Sequence, residues 1–249
     1  MRRLPAVLIA LTIAISVTGC AKPPTARQIL KNAAAAHQKV KTLKVEAENS
    51  GEFRVGNEWQ SKGQLVLTQF KRPDKFRQQT VGDKMPGVIS NGKSAYGYSG
   101  QGNTFIQIPP QQVVNDFTRN RASVQGLRLA LDKKPFANIK GVKLIGEERL
   151  GELNTYVVEY ALGDGFRLRG MEKANMTERL WVDKETWLVR KGALTARQKA
   201  DKKTGARAST LTITNLVCKM ETDPKIPDKE FDLPKGASVM QMPGAPPAP

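Results

Sequence analysis

The residues that most often carry chemistry are scarce in this chain. It has one histidine, His37, and two cysteines, Cys20 and Cys218, in 249 residues. A zinc site of Cys and His ligands, a histidine-based catalytic triad and a disulfide framework are therefore excluded. Glu147 and Glu148 form a carboxylate pair, but adjacent residues of a strand point to opposite faces and cannot share one site. We expect no enzyme activity, no metal and no cofactor, and a lone buried thiol at Cys218.

Cys20 stands at the end of a segment with the features of an export signal. Arg2 and Arg3 precede an apolar run, Ala6–Thr18, whose 13 residues are fewer than the roughly 20 that span a bilayer. The segment ends in Val17-Thr18-Gly19-Cys20, which resembles the lipobox of bacterial lipoproteins. An ordinary signal peptide with a chance cysteine is the alternative.

The lipobox resemblance implies a lipid-anchored protein of a bacterial cell envelope. Residues 1–19 would be the signal that is removed, and residues 20–24 would be the acylated Cys20 and its tether. Because Ala21 follows Cys20 and no Asp stands there, the sorting rule of lipoproteins favours the outer membrane, facing the periplasm, in a cell with two membranes.

The charge of the chain is strongly basic. Lys and Arg outnumber Asp and Glu by 40 to 23, so the net charge is +17, and without Arg2 and Arg3 it is +15. Because the protein is exported, we expect no nucleic acid partner. Anionic lipid headgroups or anionic polymers of the envelope are the partners that the charge favours, at about 1 kcal/mol for each basic residue near such a surface. Use of the charge for general solubility is an equal alternative.

After the tether, one helix is followed by many short strands. Thr25, with Gln28 three residues later, has the capping-box pattern, and an apolar helical stripe follows it. The rest of the chain has runs rich in Val, Leu, Thr, Phe and Tyr between turn signals, as in half-buried antiparallel sheets. Residues 109–135 interrupt the strands and predict one or two short helices. Residues 240–249, rich in Pro and Ala, predict a disordered tail.

Several short motifs follow one another along the strands. They are Lys62-Gly63-Gln64-Leu65-Val66-Leu67, Arg72-Pro73-Asp74-Lys75-Phe76-Arg77, Ser90-Asn91-Gly92-Lys93, Leu180-Trp181-Val182-Asp183-Lys184-Glu185-Thr186 and Phe231-Asp232-Leu233-Pro234. In order and spacing they resemble the lipoprotein carrier and receptor superfamily that includes LolA and LolB. The resemblance covers residues 25–239 as one domain. It implies a mainly β fold, an unclosed antiparallel β-barrel of about eleven strands, covered by an N-terminal helix and a short helical lid over an apolar cavity.

The same resemblance implies two kinds of site residue. Arg72 would reach from the barrel to the lid and hydrogen-bond backbone there, so that ligand can break this lock. An exposed arginine before a proline turn is the alternative. Apolar side chains of the strands and the lid would line the cavity. The candidates are Leu65, Leu67, Phe76, Tyr96, Phe117, Leu127, Leu131, Tyr156, Val158, Leu211 and Ile213.

Lipid binding is the function that these features favour. We expect a monomeric, membrane-anchored protein that accepts an acyl chain, a lipid or an acylated protein in lipoprotein or lipid trafficking. A structural or sensory envelope lipoprotein, whose barrel is filled by its own side chains, is the alternative. An empty apolar cavity would favour the first function and a packed interior the second.

Overall fold

The first helix, α1 (Ala26–Lys39), begins at the predicted cap. Thr25 Oγ1 accepts a hydrogen bond of 3.3 Å from Gln28 N, which satisfies one of the free N–H groups of the first turn. The predicted apolar stripe is the face that packs against the rest of the protein. Its buried members are Ile29, Leu30, Ala33 and His37.

The computed structural model describes residues 23–55, 58–109, 125–163, 171, 174–200 and 207–241. The strands in these ranges are β1 (Thr42–Val55), β2 (Glu58–Lys71), β3 (Lys75–Thr80), β4 (Val88–Asn91), β5 (Ala95–Tyr98), β6 (Thr104–Ile108), β7 (Ile139–Leu150), β8 (Leu153–Leu162), β9 (Asn175–Asp183), β10 (Val189–Gln198), β11 (Ser209–Thr222) and β12 (Ser238–Gln241). A second helix, α2 (Gln125–Leu131), lies between β6 and β7, and a 3-10 helix (Asp228–Phe231) between β11 and β12. No helix in these ranges is long and apolar enough to cross a membrane.

The strands form one sheet in the order β12-β6-β5-β4-β3-β2-β1-β11-β10-β9-β8-β7. Its two end strands, β12 and β7, do not pair with each other, so the predicted mainly β, unclosed sheet with helices is confirmed. The strand count differs from the predicted eleven, because β12 adds to β6 in parallel. Met240 and Gln241 belong to this strand. The tail predicted from residue 240 therefore begins too early by two residues, since their backbone pairs with Ile106 and Gln107.

The sheet curves around the helices. Leu127 of α2 packs in one apolar cluster with Phe76 of β3 and Ala95 of β5. Two residues on, Leu129 packs in another cluster with Val158 of β8. Eight strand spacings of about 4.8 Å separate β5 from β8, whereas a helix is only about 10 Å wide. Both ends of the sheet can contact this helix only if the sheet bends, so the face carrying α1 and α2 is the concave one. We call it the inner face.

The long strands define two ends of the molecule. We call the end where β1 begins the base and the end where it finishes, at Val55, the tip. Only Val40 and Lys41 separate α1 from β1, so α1 ends at the base. Asp223 stabilises the connection between α1 and β1 at the base. Its Oδ1 accepts hydrogen bonds of 2.8 and 3.2 Å from the backbone N–H groups of Lys41 and Thr42.

Two of the predicted cavity residues, Leu65 and Leu67, lie on the outer face. They pair with Glu48 and Glu46 of β1 and are half-buried. The inner residues of β2 are Val66, Thr68 and Phe70, which pair with Ala47, Val45 and Leu43 of the buried stripe of β1. The prediction for Leu65 and Leu67 is therefore wrong, because the pairing with β1 fixes the opposite alternation.

Tyr96 is also misplaced by the sequence prediction. It pairs with Ile89, and Ile89 pairs with Arg77 on the outer face. The 3-10 helix packs against β3 and β4 on this side, and the Arg77 guanidinium donates to the carbonyl of Glu230 at 3.3 Å. Ile89 is fully buried there. The outer face of these strands is thus apolar because the C-terminal segment covers it, and Tyr96 does not face the helices.

Cys218 is exposed, not buried as the sequence analysis predicted. The register between β1 and β11 shifts at this point, since Ala47 pairs with Val217 but Glu46 pairs with Lys219. Cys218 is the additional residue of this β-bulge, which directs its thiol away from the inner face.

Candidate functional site

The helix α2 lies over the base half of the inner face, within the segment that the sequence predicted as a lid. Leu127 and Ala130 are buried in the cluster that contains Phe76. Leu129 is buried in the cluster that contains Val158. The predicted cavity residues Leu127, Phe76 and Val158 are each fully buried. This half of the inner face is therefore closed by side chains packed against α1 and α2.

Arg72 lies at the turn between β2 and β3 and contacts the ends of both helices. Its Nε donates to the carbonyl of Val40 at 2.8 Å, and its Nη2 donates to the carbonyls of His37 at 3.3 Å and Ala130 at 3.1 Å. Its guanidinium also stands over the Phe70 ring, 5.6 Å from the centroid. One planar side chain thus donates to three carbonyls at the C-terminal ends of α1 and α2, although that of His37 also accepts the backbone N–H of Val40. We expect α2 to lose this attachment whenever Arg72 moves.

A buried ion pair, which the sequence analysis missed, provides a second attachment of α2. Arg128 Nη2 and Glu178 Oε1 are 3.3 Å apart, and both side chains are fully buried. The Tyr160 hydroxyl donates to the other oxygen of Glu178 at 2.6 Å, and Arg128 Nη1 donates to the carbonyl of Pro135 at 3.3 Å. Burial alone would lower the pKa of Arg128, but the neighbouring Glu178 and Tyr160 raise it. Arg128 is therefore charged, and Glu178 of β9 holds it.

His37 is the buried group at the crossing of α1 and α2. Its Nε2 accepts a hydrogen bond of 3.0 Å from the backbone N–H of Val189, while its Nδ1 has no hydrogen-bond partner among the described residues. A Cβ on Gly126 would lie 3.2 Å from His37 Cε1, so glycine lets α2 approach this closely. Burial first, and then the charges of Arg190 and Arg128, lower the pKa of His37 to about 3. His37 is therefore an uncharged core residue at neutral pH.

The depressed pKa makes stability depend on pH. The unfolded chain binds a proton at His37 below its usual pKa of 6.5, whereas the folded chain does so only near 3. The stabilisation that comes from keeping His37 uncharged is therefore fully present above pH 6.5. It declines as the pH falls, by about 1.4 kcal/mol per pH unit. Between about pH 7.5 and pH 5 we expect the free energy of unfolding to fall by about 2 kcal/mol, as measured by denaturant titration.

His37→Gln is the control for this pH dependence, because glutamine does not titrate. As the chain has one histidine, the variant should show a nearly flat profile between pH 7.5 and pH 5. A decline of the same size in His37→Gln would show that another group is responsible.

The tip half of the inner face differs from the base half. Leu211 and Ile213 of β11 and Phe53 of β1 face inward there and are only half-buried. They pack against Met176 and Leu194, which are buried. The predicted cavity residues Leu211 and Ile213 thus lie on the inner face, where part of their apolar surface is accessible. Leu131 is likewise half-buried, at the end of α2.

A groove of about 560 Å³ opens at the base between α1 and the turn from β9 to β10. Ala35 and Ala36 form one wall and Trp187 the other. The Trp187 backbone has φ 60°, a conformation that bulky residues rarely adopt. Its ring stacks on Tyr156 with 5.9 Å between centroids and 16° between planes. Tyr156, a predicted cavity residue, is therefore covered by Trp187 on one side.

Two predicted site residues, Cys20 and Phe117, lie outside the described residues.

The alternation of side chains along β9 could have revealed the ion pair of Arg128 and Glu178 from the sequence. Glu178 occupies an inward position between Met176 and Leu180, so its charge had to be compensated on the inner face.

Several solved structures resemble this one at low sequence identity. LprF from Mycobacterium bovis is 10% identical, with 86% of this chain and 97% of that chain covered and a TM-score of 0.46. The lipoprotein LppX from Mycobacterium tuberculosis is 8% identical, with 82% and 96% covered and a TM-score of 0.42. A LolA superfamily protein from Nitrosomonas europaea is 13% identical, with 84% and 98% covered and a TM-score of 0.36.

No curated protein matches the sequence. A protein family does match it, over residues 26–242. This match begins at the first residue of α1 and includes β12, so it spans the whole of the sheet and both helices. The chain therefore belongs to the family described as "Predicted periplasmic protein (DUF2092)".

Proposed function

We propose that the protein is an envelope lipoprotein that binds an acyl chain, as part of a lipid or of an acylated protein, on the tip half of its inner face. The observation that carries the proposal is the partial exposure of Phe53, Leu211 and Ile213 on this face, beside the buried Met176 and Leu194. The predicted periplasmic location of the family supports it. Trafficking of lipids or lipoproteins is the process that such binding would serve.

The energy of burying an acyl chain is sufficient for such a function. Each CH₂ group removed from water contributes about 0.8 kcal/mol, so a chain of about 14 carbons recovers roughly 10 kcal/mol before the costs of ordering. Micromolar affinity then requires no specific polar contact. Such binding therefore requires no dedicated headgroup site.

The two attachments of α2 suggest how such a site would open. Arg72 holds α2 at the carbonyl of Ala130, and Glu178 holds it at Arg128. Arg72 donates to backbone carbonyls, and water can take the place of its guanidinium as the donor. The ion pair, in contrast, is fully buried. Ligand would therefore release the Arg72 lock first and leave the Glu178 attachment in place.

Acylation of Cys20 would tether this binding domain to a membrane, the outer one if the cell has two. The lipobox pattern Val17-Thr18-Gly19-Cys20 supports this part of the proposal. The intact mass of protein extracted from membranes should correspond to a chain that starts at residue 20 and carries acyl groups. A mass without acyl groups would contradict the anchor and leave the binding site untested by that result.

Replacement of Ile213 tests the binding site itself. Ile213→Gln places a polar group on the inner face at the tip and should weaken saturable binding of a fluorescent fatty acid at least about tenfold. Leu65→Gln is the matched control, because Leu65 is also half-buried but lies on the outer face opposite Glu48. It should bind like the wild type. Equal affinities of the two variants would contradict an acyl site at the tip.

A structural or sensory lipoprotein without a transported ligand is the second candidate. It is favoured by the base half, where Phe76, Leu127 and Val158 are fully buried against the helices. This role predicts no saturable fatty acid binding at tens of micromolar ligand.

A further inference from the structure

A row of side chains crosses the outer face at the tip. In pairing order it consists of Trp59, Arg54, Thr210, Arg197 and Asn175, one from each of five adjacent strands. The Trp59 side chain is 58% exposed. The Arg54 guanidinium stands over its ring, 5.2 Å from the centroid. An exposed tryptophan is thus held beside a cation rather than packed into the core.

The row borders a groove of about 540 Å³ that is rich in cations and hydrogen-bond donors. Its cations are Arg54, Arg197 and Lys199, and the other lining residues are Asn175, Thr177, Gln198, Ala208, Ser209 and Thr210. None of the described lining residues is acidic. Among the described residues, the nearest carboxylate along the same face of β1 is that of Glu52, two residues before Arg54. Cations among hydroxyl and amide groups suit phosphate oxygens, and an exposed tryptophan suits the interface of a bilayer.

The anchor would hold the domain close to the membrane. The six residues from Cys20 to Thr25 reach at most about 20 Å, so an anchor at Cys20 would keep the N-terminal end of α1 close to the bilayer. Within that reach, attraction between the basic groove and anionic lipid can decide which surface of the domain turns to the bilayer.

We propose that this outer tip surface, comprising Trp59, Arg54, Arg197 and Lys199, docks on the anionic phospholipid headgroups of the membrane that carries the protein. The inference rests on the membrane anchoring in the proposed function. Docking would fix the orientation of the domain and place the half-exposed apolar residues of the inner tip, Leu211 and Ile213, next to the bilayer. An acyl chain would then travel a short distance between membrane and protein.

Tryptophan quenching in vesicles tests this orientation. The full chain is reconstituted into vesicles of phosphatidylcholine and phosphatidylglycerol, with bromine on the acyl chains of one lipid at a time. Trp181→Phe with Trp187→Phe leaves Trp59 as the sole tryptophan, and Trp59→Phe with Trp181→Phe leaves Trp187 at the base. We expect brominated phosphatidylglycerol to quench Trp59 and to leave Trp187 unquenched.

Charge variants of the protein that has Trp59 as its sole tryptophan show which residues contact the lipid. Arg54→Ser with Arg197→Ser, or high salt, should remove most of the quenching, since both weaken attraction to anionic lipid. Lys143→Ser with Lys225→Ser removes the same charge from the β7 edge and the base, and should preserve it. Unquenched Trp59, equal quenching by brominated phosphatidylcholine, or quenching of Trp187 would each overturn the proposal. None of these readouts involves a cargo lipid, so they are independent of the fatty acid titration.

Discussion

Glu178→Gln should lower the free energy of unfolding by about 3–5 kcal/mol, because it removes the buried carboxylate that lies against a buried cation. Arg128 and Glu178 are both fully buried at 3.3 Å, and the pKa of Arg128 is raised, after the opposing effect of burial, by Glu178. Arg128 cannot lose its proton at neutral pH, as a buried lysine would. The folded state must therefore bear the full cost, which chemical denaturation measures directly.

The control for this prediction removes the whole polar cluster. Arg128→Met with Glu178→Met and Tyr160→Phe removes both charges of the described pair together with the hydroxyl that donates to it. Apolar replacement of a buried ion pair is often neutral or stabilising by about 1–4 kcal/mol. We expect the triple variant to be at least as stable as the wild type. If Glu178→Gln cost less than about 1 kcal/mol, the buried pair would not be the attachment described here.

Arg72→Leu should accelerate amide hydrogen exchange in α2. The variant removes the donor to the carbonyls of Val40, His37 and Ala130. A hydrogen bond from a charged donor contributes about 1.5–3 kcal/mol, so local opening of α2 should become about 10- to 150-fold more frequent. Exchange at residues 129–132, whose N–H groups bond within the helix, reports it.

Two variants define what Arg72 contributes. Arg72→Lys keeps the charge but cannot present a planar fork to several carbonyls, so its exchange should be intermediate. Arg77→Leu removes a guanidinium from the neighbouring strand that donates to Glu230 on the outer face, and it should leave α2 unchanged. If α2 of a folded Arg72→Leu variant exchanged its amide hydrogens at the wild-type rate, the proposed lock would be contradicted. Arg72 would then have no influence on α2.

Local signals in the sequence predicted several elements correctly. Thr25 and Gln28 located the start of α1, because the cap is a contact between residues three apart. Tyr156 and Val158 were placed on the inner face because Tyr156, Val158, Tyr160 and Leu162 recur at every second position of β8. The stretch from Leu65 to Phe70 has apolar residues on both faces, so its own alternation could not decide which face is buried. The decision lies in β1, whose strict alternation fixes the register of its partner.

Other features depended on contacts that are distant in sequence. Tyr96 and Ile89 lie on the outer face, where the 3-10 helix packs against β3 and β4 and Ile89 is buried. The twelfth strand requires a parallel pairing of Ser238–Gln241 with Thr104–Ile108, more than a hundred residues earlier in the chain. Strand periodicity gives no information on such crossovers. Arg72 was identified from a motif, and the three carbonyls that it contacts come from elements that no local pattern connects.

The lipid content of the protein tests the central claim most directly. The full chain is extracted from membranes and purified, and the lipids bound to it are identified by mass spectrometry, with the covalent acyl groups of Cys20 counted separately. An acyl site at the tip predicts about one non-covalently bound acyl-bearing molecule per chain, reduced in Ile213→Gln and retained in Leu65→Gln. Absence of bound lipid from the wild type, in protein that is folded, would contradict acyl-chain binding and favour the structural role.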